Sequence, residues 1–320
     1  MSQKNISFGK INIIWGEKGS RFPYSNTLFI DDKIKTFIDP SAGLDVLKKI
    51  GDERIDRVIN SHFHFDHIRF NYVFQNADIW VHKLDSGAMT DYFSYIRKYG
   101  GLRILGEQWV NELVNYLNQK EMKSEANSFT YDRSFYRSIG KINFTYQEGD
   151  TISFGKENAY VIHTPGHADS MCCFYFPEQS LCYVSDYNVL SDWGPWYGGE
   201  ESSIQELIKS ADRLKEIDAD YFVTAHDQAV LTKQEFLKHL GKFISVIDER
   251  NRKIESLVKK DISFYELSDL GIFYEKKYHY IHWVRTWETL MLIKHLEYTN
   301  LKKIIPYVLK LEEERCLESL

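Results

Sequence analysis

Residues 62–67 constrain this chain more than any other stretch. Asn60-Ser61-His62-Phe63-His64-Phe65-Asp66-His67 carries four metal-competent side chains within six residues, straight after the short apolar run Arg57–Asn60. In extended backbone, side chains alternate between two faces, so His62, His64 and Asp66 project to one side. His67 joins them only if the chain bends. Imidazole nitrogens and a carboxylate are the donors that zinc, iron and manganese accept. The competing reading is a chance cluster of surface histidines. An H-x-H-x-D-H string delivered from the end of an apolar strand argues against it.

Three further segments repeat this arrangement. His163-Thr164-Pro165-Gly166-His167 follows the run Ala159–Ile162, and Pro-Gly suits a tight turn there. Val184-Ser185-Asp186 closes another strand candidate and Thr224-Ala225-His226 a third. Each polar group stands just beyond an apolar strand, where loops at one sheet edge converge. Singly these are weak signals, but four in order are not.

The first eighty residues read as strands and turns. Ile11–Trp15, Thr27–Ile30, Thr36–Ile38 and Arg57–Asn60 are strand candidates, Asp31-Asp32-Lys33 a hairpin turn, and Ser41–Ile50 a short helix. Ile79–Val81 follows the histidine string. From 84 to about 140, Leu105, Trp109, Leu113 and Leu117 recur at helical spacing, which predicts a helical insertion. Strand signals resume at Ile142–Tyr146, Ala159–His163, Cys172–Phe176, Leu181–Ser185 and Tyr221–Thr224. A helix over Ser203–Ile217 opens on a capping-box sequence, as do helices at Thr232 and Ser263. Trp283–Leu296 and Ile304–Leu311 are later helix candidates. The expected division is a strand-rich α/β (α+β) domain over 1–232, carrying the insertion, and a helical C-terminal domain over 233–320.

Composition narrows the options. With 43% hydrophobic residues, 20 Phe, 21 Tyr and 7 Trp, the 320-residue chain can fill a large core. A net charge of −6 gives no nucleic-acid footprint, so nucleic acid is a disfavoured partner. No apolar run approaches a membrane span and the amino terminus has no signal pattern, so a cytoplasmic protein working on a small molecule is expected. Cys172, Cys173, Cys182 and Cys316 lack zinc-ribbon spacing and read as small buried apolar residues.

On these motifs the chain resembles the metallo-β-lactamase fold superfamily. Five motifs match in order: Asp39 in Phe37-Ile38-Asp39, the His62–His67 string, His167, Asp186 and His226. The resemblance covers about residues 6 to 230 and implies an αββα metallo-β-lactamase sandwich with metals at one edge. It implies one ion on His62, His64 and His167, another on Asp66, His67 and His226, and Asp186 bridging both. Asp39 would orient the string by hydrogen bonds, with His163 a further hydrogen-bonding residue behind the ligands. The oxygen-reducing diiron branch has Glu where this chain has His64, which favours hydrolases. More loosely, Arg250–Leu257, Glu266–Leu270 and Ile293–Leu296 resemble the winged-helix tail of the human lactamase-like protein and related thioesterases, without the wing expected at Leu301–Leu311.

The implied chemistry is hydrolysis at a binuclear centre. Two divalent ions, zinc before iron or manganese, would lower the pKa of a bridging water and give hydroxide near neutral pH. Asp66 would orient that hydroxide or take its proton, and Asp66 and His226 are the expected catalytic residues. No G-x-S-x-G elbow or P-loop offers an alternative route. The loop Asp192–Gly199, two residues of which are Trp, suggests a substrate wall from Trp193, Trp196 and Tyr197, with Tyr187 a candidate donor. Tyr92, Phe93, Tyr95 and Tyr99 in the insertion would form either an apolar lid or a homodimer surface. The expected substrate is a small thioester or lactone, as for glyoxalase II and the lactonases. The alternatives are a metal-dependent phosphodiesterase or ribonuclease, which needs a basic track, and a mononuclear-iron sulfur dioxygenase, which shares the ligand string.

Overall fold

The computed structural model describes residues 6–51, 54–119, 134–260 and 262–306. Its strands are short and fall into two sheets. The first holds β1 (Ile6–Phe8), β2 (Ile11–Ile14), β3 (Thr27–Ile30), β4 (Thr36–Ile38), β5 (Arg57–Ile59), β6 (Asp78–His82) and β7 (Phe144–Tyr146), side by side in chain order. β1 to β4 pair antiparallel and β4 to β7 parallel. The second sheet holds β8 (Thr151–Ser153), β9 (Asn158–His163), β10 (Cys172–Phe176), β11 (Leu181–Tyr183), β12 (Tyr221–Val223) and β13 (Val230–Thr232). There only β11 and β12 run parallel.

Alternation along the strands builds the layers. Ile11, Ile13, Leu28, Ile30, Ile38 and Ile59 of the first sheet meet Val161, Cys172, Phe174, Leu181, Tyr183 and Val223 of the second in one apolar cluster. The opposite faces are covered by helices. α1 (Leu44–Gly51) packs Leu47 with Phe37 and Val58; α2 (Phe65–Ile68), α3 (Tyr92–Lys98) and α4 (Gly101–Gln119) follow on that side of the cluster. On the second sheet, Cys173, Cys182 and Phe222 meet α5 (Ile204–Lys215) and α6 (Lys233–Val258) through Leu214, Phe236 and Leu240. The result is the expected αββα sandwich. The thiols of Cys172, Cys173 and Cys182 are buried and free, while Cys316 lies outside the described residues.

Two helices complete the described chain, α7 (Phe264–Ser268) and α8 (His282–Tyr298). Leu290, Met291, Leu292 and Ile293 of α8 are all fully buried, and a helical turn apolar on every side belongs inside. It contacts α4, α5, α6 and α7. Of the helix candidate Ile304–Leu311, the described part holds only the end of a 3-10 turn, Lys302–Ile304; residues 307–311 lie outside the described residues, as do 120–133 of the insertion. No helix among the described residues is long and apolar enough to cross a membrane.

Local chemistry explains the helix starts. Thr232 and Ser263 form complete capping boxes with Glu235 and Glu266. Ser203 differs from expectation: its hydroxyl accepts from Glu206 N–H, but its own N–H donates to the Gly166 carbonyl at 2.8 Å. Half the box is given up to tie α5 to the turn before His167. Gly166 is required there: its φ is +136°, and a Cβ would come within 2.3 Å of the Leu207 backbone.

Candidate metal centre

The residues singled out in the sequence arrive from five strand ends at one edge of the sandwich. Asp39 follows β4 and the histidine string follows β5, both in the first sheet; His167, Asp186 and His226 follow β9, β11 and β12 in the second. The bend that His67 needs is made by α2, with His64 as its N-cap residue. Asp66 therefore sits on a helical turn rather than in the extended stretch expected from alternation. Two strand ends hold non-glycine residues in the left-handed region, Asp39 at φ +52° and Ser185 at φ +48°. Such backbone is strained, and it persists because the surroundings fix it. The hydroxyls of Ser61 and Ser185 lie 2.8 Å apart, linking the two sheets at this point.

Two groups of side chains gather there. His62, His64, His167 and Asp186 form one; Asp66, His67, Asp186 and His226 form the other. Within each group the offered ligand atoms lie within 4.8 Å of one another, and Asp186 belongs to both. Asp186 Oδ1 is 2.9 Å from His67 Nε2 and Oδ2 is 3.1 Å from His167 Nε2. Asp66 Oδ2 is 3.2 Å from His226 Nε2. These are the two sets that the motif resemblance implied.

Outward-facing nitrogens of the histidines are held from behind. His67 Nδ1 donates to Asp39 Oδ2 at 2.8 Å, and that carboxylate also accepts from Ser61 N–H, Ser61 Oγ and the Tyr183 hydroxyl. His167 Nδ1 donates to the Trp196 carbonyl at 3.1 Å, and His226 Nδ1 to the Ser20 carbonyl at 2.8 Å. Such bonds fix the tautomer and leave Nε2 as the ligand atom. The two carbonyl partners had no sequence signal, because any residue type supplies a carbonyl.

Electrostatics divide the cluster. Burial, then neighbouring imidazoles, push His62 and His64 well below the usual imidazole range. Burial also acts on His67 and His226, but nearby carboxylates win. Asp186 and Asp39 raise His67 well above its ordinary value, and Asp186 with Asp66 raises His226 to about 9. Burial would lift Asp186, yet His67, His167 and His226 hold it well below the carboxylate range. His62 Nε2 is buried without a hydrogen-bond partner, and His64 Nδ1 faces His167 Nε2 at 2.8 Å. Converging imidazole nitrogens and carboxylates, with Nε2 of both His62 and His64 buried and unpartnered, fit a divalent metal ion.

The cluster forms the floor of a cavity of about 910 Å³. Its walls are largely aromatic: Phe22, Phe65, Tyr99, Trp193 and Trp196, closed by Tyr274, Val284 and Trp287 from the C-terminal helical segment. Among the described residues Arg21 is the single Lys or Arg in the lining, against Asp66, Asp186, Asp192 and Asp227. Trp193 and Trp196 thus stand where a substrate wall would be. Tyr187 and Tyr197 do not. Tyr187 is buried, donating its hydroxyl to the Leu207 carbonyl, and Tyr197 is buried against Arg250 and His295. His163 bonds to the Asp169 carbonyl and stacks on His82, with no hydrogen bond to the seven clustered residues. Of the insertion aromatics, Tyr99 lines the cavity, stacked 4.9 Å from His64, while Tyr95 is buried in the core.

Comparison with known proteins agrees with this fold. The family model for the metallo-beta-lactamase superfamily matches residues 25–226. The acyl-coenzyme A thioesterase MBLAC2 of Gallus gallus is 24% identical over 162 residues, 50% of each chain. A hydroxyacylglutathione hydrolase of Chelativorans sp. is 25% identical over 119 residues, 37% of this chain and 46% of that protein. The chain thus spans about half the length of the curated relatives it matches. Among solved structures, a metallo-beta-lactamase family protein of Thermus thermophilus superposes with a TM-score of 0.64 at 15% identity, covering 92% of this chain and 94% of that one. A beta-lactamase domain protein of Burkholderia ambifaria gives 0.59 at 13% identity, covering 93% and 88%.

Proposed function

We propose, from the premise that the chain belongs to the metallo-beta-lactamase superfamily, that it is a metal-dependent hydrolase of a thioester or lactone with an apolar acyl or aryl part. The observation that carries this reading is the pair of His/Asp groups, sharing Asp186, at the floor of a cavity with an aromatic wall. Held by His62, His64, His167 and Asp186, and by Asp66, His67, Asp186 and His226, two divalent ions, zinc as first choice, would supply Lewis acidity and hydroxide at neutral pH. The thioester choice is supported by the likeness to an acyl-coenzyme A thioesterase and a hydroxyacylglutathione hydrolase. A phosphodiester or RNA substrate finds little support in a lining whose described residues hold one Lys or Arg against four aspartates.

The chain's own residues divide the work. The aromatic walls exclude water and take up the apolar part of the substrate. The Asp66 carboxylate lines the cavity and is the base available for proton transfer there. Asn188 adds a donor that sequence reading missed. Its Oδ1 accepts the His226 backbone N–H at 3.1 Å, so its NH₂ must face the other way. Asn188 lines the cavity, and that NH₂ has no hydrogen-bond partner among the described residues. It is placed to donate to the substrate carbonyl oxygen as negative charge develops. Asn188→Ala should lower kcat about 100-fold, the scale of losing one oxyanion donor, with metal content unchanged by elemental analysis.

The deciding experiment is turnover by the metal-loaded chain of acyl thioesters of rising chain length and of a bis-aryl phosphodiester, with Asp66→Asn as control. Thioester turnover that rises with acyl length and is lost in Asp66→Asn is expected. Preference for the phosphodiester would overturn the proposal.

A further inference from the structure

The family match ends at His226, yet the wall of the cavity is completed by residues well beyond it. The link between the two parts runs through Trp196. Its carbonyl accepts His167 Nδ1–H, its ring lies 5.0 Å from the rings of both His64 and His167, and its indole N–H donates to the Tyr274 hydroxyl at 2.9 Å. One residue therefore both orients a clustered histidine and forms cavity wall.

The C-terminal helices fix Trp196 from two directions. Arg250, on α6, donates from Nη1 to the Pro195 carbonyl at 2.7 Å and the Tyr197 hydroxyl at 2.9 Å, and from Nη2 to the Trp193 carbonyl. Its guanidinium lies 4.5 Å from the Trp193 ring. The loop is thus held on both sides of Trp196, in a fork that Lys cannot reproduce. Glu288, fully buried on α8, accepts the backbone N–H groups of Ile272, Phe273 and Tyr274 at 2.6, 3.1 and 2.8 Å. A buried carboxylate is costly unless its oxygens are satisfied, and here they are satisfied by the segment that presents Tyr274 to Trp196.

We propose that Arg250 and Glu288 are positioning residues for the metal site, holding His167 in its ligand orientation through Trp196 and Tyr274. The inference rests on the metal reading of the cluster. If the contacts served only to stabilise the helices, their loss would alter unfolding but leave metal binding untouched. Outer partners of metal-binding histidines typically contribute about 10- to 100-fold in affinity.

The test is zinc titration of the full chain against a competing chelator, with the visible spectrum of the cobalt-substituted protein recorded in parallel. In Arg250→Lys and Glu288→Gln, one metal equivalent should weaken about 10-fold or more while the other holds, and the cobalt bands should change. Tyr274→Phe, which removes a single hydroxyl, should give the same change in smaller measure and decides the matter if the other two variants do not fold. Wild-type affinity and spectrum in every folded variant would overturn the proposal while leaving the metal site standing. Failure of the wild-type chain itself to take up zinc would overturn both readings together.

Discussion

Asp186→Asn is expected to strip metal from both halves of the site at once and to lower hydrolysis by at least about a thousandfold, well beyond the effect of losing an outer partner. The reason is geometric. Asp186 is the one residue common to both ligand groups, with one oxygen toward His67 and the other toward His167. Asparagine keeps the shape but replaces one oxygen by an NH₂ that repels a cation. It also removes the negative charge that three surrounding imidazoles stabilise. His62→Ala, by contrast, touches one group only. Metal content after dialysis and kcat/KM together read the result. Two equivalents retained in Asp186→Asn would refute the shared-ligand arrangement.

The second large effect is on pH. In the metal-free chain, nearby carboxylates raise His226 to about 9, so it carries a proton at pH 7, and Asp186 and Asp39 push His67 upward. A metal ligand must be neutral, so binding at pH 7 has to expel the His226 proton. Calorimetry of zinc binding in buffers of differing ionisation heat should show proton release at pH 7, with less released as pH passes about 9. Stability follows the same linkage. A histidine whose folded pKa is raised stabilises the fold fully below its unfolded pKa, near 6.5, and ceases to do so as pH rises through its folded pKa. The metal-free protein should therefore weaken between about pH 6.5 and 9. The metal-loaded protein, its imidazoles already neutral, has no such loss. The gap between their melting temperatures should widen across that interval; a constant gap would count against a protonated His226.

Much of the site was readable because its ligands follow strand ends, and strand ends are marked by apolar runs that stop. The string from His62 to His67 is nearly contiguous, so local spacing alone brings its members together. The sandwich was legible for the same reason, with short alternating runs on either side of a helical insertion. What was not readable depends on distant contact. β1, β8 and β13 were not anticipated from the sequence, and Thr232 ends β13 while capping α6. Phe22 and Trp287, whose rings meet edge-on at 6.2 Å, lie far apart in sequence. Nothing local announces that they share a wall. Tyr197 shows the converse, since a Gly-rich aromatic loop reads as substrate wall until Arg250 and His295 are seen to enclose its hydroxyl.

Each ligand group draws on both sheets, and this has a mechanical consequence. An ion seated in either group would act as a rivet through the sandwich, closing the long excursion of chain between His67 and His167. Secreted domains achieve such closure with disulfides; the three described cysteines are all free. The two sheets could then part only after the rivet is drawn. Removing the ion with a chelator would then speed unfolding while leaving the apolar contacts between the sheets in place.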